Sequence, residues 1–273
     1  MQNLVLSKFG DWLMRFFFAK GVVYAPVQDY IWGTMHLIVL AIVFASTIGC
    51  YFVFKPVSHD GRYRALKVVA WTLAVCEIVT RISKLVYFAD LGQLDFVMAV
   101  KIIVPLQFCQ LMVWVIIVAI LTNNRSVLSF GCLCGLLGAT FFLAYPIEGL
   151  SASFFNIRAF NSVFTHSLAF VAAVNLFALG EVKLEMKDLG KTFLLLLGIV
   201  AYGGLANLIF KGENYMFMIE NPTKLTFGKI PYQVIFALLV AGFIVACYFG
   251  FWLVDKIRAR HAGKKQTATT ENN

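Results

Sequence analysis

Charge is scarce in this chain. Asp, Glu, Lys and Arg make up 14% of its 273 residues, against about 25% in ordinary soluble domains. Apolar side chains fill 60% of positions, where roughly 45–50% is usual, and the mean hydropathy is +0.81. That shortage excludes a soluble globular domain and implies a polytopic integral membrane protein. Acidic residues are the scarcer sign, 14 against 23 basic ones. In a membrane protein such an excess collects in cytoplasmic loops and near anionic headgroups, so it gives no reason to expect nucleic acid as a partner.

Other absences narrow the reading further. Nearly all of the six cysteines (Cys50, Cys76, Cys109, Cys132, Cys134 and Cys247) fall inside apolar runs, which excludes a secreted disulfide framework. No Cys/His spacing reads as a zinc site and no nucleotide motif is present, so neither a metal nor a cofactor is expected. No cleavable signal is evident, because Asp11 and Arg15 interrupt the apolar residues of 1–20. An inverted repeat of the kind transporters carry is not visible either, and only Pro105 offers a helix break near the midplane.

What the chain does have is long apolar runs. A span needs about 20 mostly apolar residues, and seven stretches qualify: 33–54, 65–88, 100–121, 126–145, 160–179, 192–210 and 230–254. The second is the least clean, with Lys67, Glu77, Arg81 and Lys84. The expected fold is an all-α, polytopic transmembrane helix bundle in three parts. Residues 1–32 form an interfacial amphipathic segment, because Trp12, Phe16, Phe17 and Phe18 lie beside Lys8, Arg15 and Lys20. Residues 33–254 form the seven-helix domain, and residues 255–273 a basic, disordered cytoplasmic tail. With the C-terminus inside, the inner loops and tail hold twelve basic residues and the outer segments seven, which favours an N-out, C-in orientation.

Polar residues in these spans then need a reason, since polar groups at membrane depth are costly and tend to face a bundle interior or cavity. The stretch 105–111, Pro-Leu-Gln-Phe-Cys-Gln-Leu, breaks an otherwise apolar third span. The topology places Cys109 roughly 13 Å, and His166 roughly 9 Å, below the outer surface at about 1.5 Å per residue. Arg81, Lys84, Lys101, Gln107 and Asn207 fall in the same outer half, with Glu77 near the middle, which suggests a shared polar cavity open to the outside. Blander roles compete. Glu77 and Arg81 are four apart and can neutralise each other, Lys84 and Lys101 can snorkel, and His36 reads as interfacial. Pro105 is expected to kink its helix and free the Lys101 carbonyl for a neighbour or water. The other five cysteines read as small hydrophobes. Cys109 with His166 is different, because a thiol becomes a nucleophile as thiolate and an imidazole is a usual way to obtain one.

Together the glutamate-bearing second span, the 105–109 stretch, His166 and the segment Asn207…Gly212-Glu213-Asn214-Tyr215-Met216-Phe217…Pro222 resemble the YwaF family of bacterial membrane proteins, to which vertebrate transmembrane protein 164 is related. The resemblance covers most of 33–254. It implies a cysteine-dependent acyltransferase or ester hydrolase acting on membrane lipids in the cell membrane, with Cys109 as nucleophile and His166 as base. Glu77, Arg81, Gln107, Asn207, Asn214 and Tyr215 are the candidate substrate-binding residues. The family's thiol motif runs Pro-Leu-His-Leu-Cys, whereas Gln107 stands here at the histidine position. An amide can donate a hydrogen bond but cannot take a proton at neutral pH. Two other classes stay open: a transporter or lipid-binding protein built on Glu77 and Arg81, and a non-catalytic scaffold.

Overall fold

A computed structural model describes residues 2–18, 30–146, 150, 156–221 and 228–270. The described residues are helical, with no strand among them. The chain divides into two units, Met1–Glu181 and Val182–Asn273.

The first unit holds α1 (Gln2–Phe18), α2 (Thr34–Phe54), α3 (His59–Asp90), α4 (Phe96–Ile103), α5 (Phe108–Leu121), α6 (Arg125–Ala144) and α7 (Ile157–Ala178). Helix α7 is its hub, touching α1, α2, α3, α5 and α6. Enclosure differs sharply along the bundle: 56% of the α6 span is buried but only 6% of the α2 span, so α2 presents its apolar surface outward. Lipid tails give no hydrophobic drive for helices to pair, so close approach of small residues does that work. On α6, a Cβ at Gly135 would stand 2.6 Å from Ile116 Cδ1, and one at Gly131 3.3 Å from Ile116 Cγ1. These glycines let α5 and α6 lie tight together.

Helix ends are closed by side chains and turns. Asn123 takes the left-handed conformation (φ 53°) at the end of α5, where Asn124 N–H donates to Ala119 O and Asn123 N–H to Ile120 O. That is a Schellman stop in which Asn replaces the usual Gly. Asn124 then caps α6 through Val127 N–H. At the same end, Arg62 donates to Glu181 Oε1 at 2.8 Å, to Phe54 O at 2.9 Å and to Lys55 O at 2.9 Å, and the Tyr63 hydroxyl donates to Ile120 O. The tips of α2, α3, α5 and α7 are thus tied together.

The opposite end corrects one expectation. His36 is not interfacial but 1% exposed. Its Nδ1 accepts from Trp32 N–H at 2.9 Å, so Nε2 carries the proton and donates to Leu143 O at 2.7 Å. Tyr30 donates to Pro146 O beside it. Helix α6 ends where Pro146 forbids a helical predecessor, and these two side chains meet carbonyls left over there.

Among the described residues, five helices are long and apolar enough to cross a membrane, six if the bent pair α4–α5 counts as one. The expected third span is therefore broken rather than continuous: α4 and α5 meet at 56°. Pro105 excludes the helical region for the residue before it, and Val104 accordingly lies at φ −75°, ψ 134°. Helix α3 runs 32 residues with the charges Lys67, Glu77, Arg81 and Lys84 inside it.

The second unit holds α8 (Leu189–Ile209) and α9 (Tyr232–Thr270), with short 3-10 turns at Met186–Asp188 and Tyr215–Phe217. Helix α9 carries its backbone past Asp255, through the basic tail. Thr192 and the Tyr248 hydroxyl are bonded at 2.6 Å, which joins α8 to α9.

Candidate functional site

The broken span decides where Cys109 lies. Helix α5 starts afresh at Phe108 with Gln107 as its N-cap residue, which puts Cys109 in the first turn. Backbone N–H groups in that turn have no intrahelical acceptor. Those of Cys109 and Gln110 are among them, next to the thiol in sequence. A helix amino terminus favours anionic charge, thiolate included.

His166 is set by its own helix. Its Nδ1 lies 2.6 Å from the Ser162 carbonyl, one turn earlier on α7. A carbonyl only accepts, so Nδ1 carries the proton and Nε2 keeps its lone pair. Phe142 of α6 stacks on the ring, centroids 3.9 Å apart at 13°, and fixes its plane. The orientation of a catalytic base by a partner at its far nitrogen is the arrangement that gives the proton-accepting tautomer.

Cys109 and His166 come together. Both line one cavity of about 10 Å3, measured as the space open to the centre of a water molecule, with Met112 and Ile116 of α5, Gly138 of α6 and Ala169 of α7 in its walls. That is the scale of a single water. The two residues meet as walls of this space. Depth agrees with the pairing. Cys109 is twelve residues from Leu121 and His166 twelve from Ala178, about 18 Å at 1.5 Å per residue. Those two helix ends are the ones tied together through Tyr63 and Arg62.

Glu77 and Arg81 take another part. Arg81 pairs with the Glu77 carboxylate one turn away on α3, and its Nε donates to Ile103 O at 3.0 Å. The guanidinium also lies over the Trp114 ring of α5, 5.7 Å from its centroid. Its Nη2 is buried with no hydrogen-bond partner among the described residues. Gln107 stands at the break, its carbonyl accepting from Leu111 N–H.

Asn207, Asn214 and Tyr215 belong to the second unit, where their polar groups serve the backbone. Asn207 accepts from Tyr215 N–H at 2.8 Å and donates to Tyr215 O at 3.1 Å, a two-point clamp. Asn214 accepts from Ile219 and Glu220 N–H and donates to Glu220 O. Between them Met216 takes a left-handed conformation (φ 57°), and its sulfur presses on Gly203, where a Cβ would come within 2.6 Å. Burial, with the Glu213 carboxylate adding, pushes the Tyr215 phenol up to about 12. Pro222, the last residue of that motif, lies outside the described residues.

Three residues of the site carry no signal of their own in the composition. Ser162 and Phe142 orient His166 as described. Asn161 donates to Cys76 O at 3.0 Å and Thr80 Oγ1 at 2.7 Å, which locks α7 to α3 one turn from the imidazole. For Ser162 the four-residue spacing to His166 is a visible hint; Phe142 lies on another helix and gives none.

Comparison with known proteins sets this geometry in context. No curated protein and no solved structure matches the chain. A family model does match, over residues 31–252, which takes in every residue of the site. The chain therefore belongs to the TMEM164 family, and is a multi-pass membrane protein of that family.

Proposed function

We propose that this chain is a cysteine-dependent acyltransferase or ester hydrolase acting on lipids of the cell membrane, of the YwaF type. One observation carries the reading: Cys109, in the first turn of α5, and His166, with Nε2 unprotonated, wall the same cavity between α5, α6 and α7. Cys109 gives its proton to His166 Nε2 and the thiolate attacks the ester carbonyl. The carbonyl oxygen becomes an oxyanion, which first-turn N–H groups of α5 are placed to receive. The C–O bond then breaks, the departing alkoxide takes the proton from His166, and an acyl thioester on Cys109 remains. Water or a lysolipid hydroxyl, deprotonated by His166, resolves it to fatty acid or new ester, and the thiol is restored. A lost oxyanion donor costs about 10²–10³ in rate, so the free first turn of α5 is a substantial asset.

In this reading α3 is a full span, despite its charges. Tyr63 with Lys67 at one end and Tyr87 with Arg158 at the other form cation–aromatic pairs of the kind that suits the two headgroup boundaries. They stand 24 residues apart on α3, about 36 Å at 1.5 Å per residue. That makes seven spans, N-out and C-in, with α1 lying at the interface. On α1 the Phe9, Trp12 and Phe16 rings stack in sequence, and the helix is held to α3 by the Ser83 hydroxyl on Phe17 O. Gln107 can donate a hydrogen bond but cannot take a proton, so His166 alone serves as base.

The test is selective labelling. In native membranes, an iodoacetamide-type probe reacts with Cys109 ahead of the other five cysteines, and prior incubation with a lipid ester slows that reaction. Equal labelling of all six, or none at Cys109, contradicts the reading.

A further inference from the structure

We infer that Arg81 is a positioning residue: by occupying the Ile103 carbonyl it keeps α4 and α5 broken apart and so keeps Cys109 in the first turn of α5. The inference rests on Cys109 being the nucleophile. In a continuous helix Ile103 O would accept from Gln107 N–H, four residues on. Here it accepts from Arg81 Nε at 3.0 Å, so the guanidinium competes directly for the acceptor that would carry the helix through the break. Proline alone does not require this outcome, because Pro-containing transmembrane helices often continue with a kink when neighbours meet the freed groups.

The rest of the break is consistent with a helix that cannot resume. Leu106 N–H turns back to Val104 O at 2.9 Å, and Leu111 N–H is the first to make the ordinary bond of α5, to Gln107 O. Arg81 is itself pinned: Glu77 offers both its carboxylate and its carbonyl to Nη1, and Trp114 backs the guanidinium from α5. Three helices thus meet at one side chain. If the span were continuous from Phe96, the N–H groups of Cys109 and Gln110 would bond to carbonyls at 105 and 106, and the thiol would no longer lie at a helix amino terminus. Among the described residues, the charged groups of α3 near the break are Glu77, Arg81 and Lys84, and His166 of α7 shares the thiol's cavity; α6 presents Gly138 there, where a Cβ would lie 3.9 Å from Cys109 Cβ.

The experiment follows the alkylation rate of Cys109 against pH in the full-length protein in lipid nanodiscs, resolved by peptide mass. Arg81→Gln should move the midpoint of that profile upward and slow the reaction about tenfold at neutral pH, one unit of thiol acidity. Pro105→Ala, which lets the helix resume, should slow it similarly. The double variant should be no slower than either single one, because both act through the same break. An unchanged midpoint in Arg81→Gln, or losses that multiply in the double variant, would overturn the inference. If Arg81→Gln does not fold, Arg81→Lys decides: its ammonium cannot serve carbonyl and carboxylate as the guanidinium does, so a partial upward shift is expected and a wild-type profile refutes it. Wild-type Cys109 reacting no faster than Cys50 would instead remove the nucleophile on which the inference stands.

Discussion

His166 donates from Nδ1 to the carbonyl of Ser162, 2.6 Å away and one turn earlier on α7. That bond fixes which nitrogen of the ring is basic. A substitution can therefore separate holding the helix from accepting the proton. Asn places an N–H near the position of Nδ1 and has nothing at Nε2. His166→Asn is expected to leave folding intact, as judged by thermal denaturation in detergent. Lipid-ester turnover should fall by about 10²–10⁴, the usual contribution of a general base. Turnover within a factor of about two of wild type would assign the base elsewhere.

The cavity between Cys109 and His166 is a second target. Gly138 forms part of its wall, with room for a Cβ at 3.4 Å from the Phe108 ring. Gly138→Leu fills that space, so alkylation of Cys109 should slow markedly while Cys247, in the second unit, labels at its usual rate. Overpacking of this kind costs roughly 1–3 kcal/mol, which a shift in melting temperature would register.

His36 supplies a stability test independent of chemistry. Replacing it with Phe keeps an aromatic ring against Trp32 but leaves Trp32 N–H and Leu143 O without their partner. A buried group left unmet costs about 1–3 kcal/mol. His36→Phe should lower the melting temperature without changing the pH profile of Cys109 alkylation. A fully stable variant would mean that water reaches this end of α6.

Asn207 makes a parallel prediction for the second unit. Asn207→Leu removes both halves of the clamp on Tyr215. Amide hydrogen exchange at Tyr215 should then accelerate by an order of magnitude or more, on the basis of about 1 kcal/mol for each lost bond. Exchange at the wild-type rate would show that Met216 against Gly203 holds the turn by itself.

Much of the architecture was legible in the residues, and the exceptions have physical causes. The apolar runs that become α2, α6, α7, α8 and α9 stand out because a bilayer demands some twenty apolar residues in a row. Pro105 marks the third span, but whether a proline kinks or breaks a helix depends on its neighbours, and Arg81, which bonds the Ile103 carbonyl beside the break, is 22 residues away from it in sequence. His36 was misread because a histidine at the head of an apolar run looks the same whether it faces headgroups or a neighbouring helix end. Glu77 and Arg81 were legible as a pair by their spacing, while their hold on the break was not. Cys109 and His166 were nominated by chemistry and by resemblance, since no periodicity reports that two helices share a cavity. Asn207, Asn214 and Tyr215 are candidate substrate-binding residues by resemblance; that the two Asn amides and the Tyr215 backbone also close a local turn is a use that side-chain identity alone cannot announce.

The central claim is that Cys109 carries an acyl group during turnover. The most direct measurement is the mass of the Cys109 peptide from native membranes, taken with and without hydroxylamine, which cleaves thioesters. The account predicts a fatty-acyl adduct on Cys109 that hydroxylamine removes and that is lost in His166→Asn, where the thiol lacks the base that makes it a nucleophile. No hydroxylamine-sensitive adduct on Cys109 of the wild-type protein, with acyl groups found instead on Cys50 or on none of the cysteines, would contradict it.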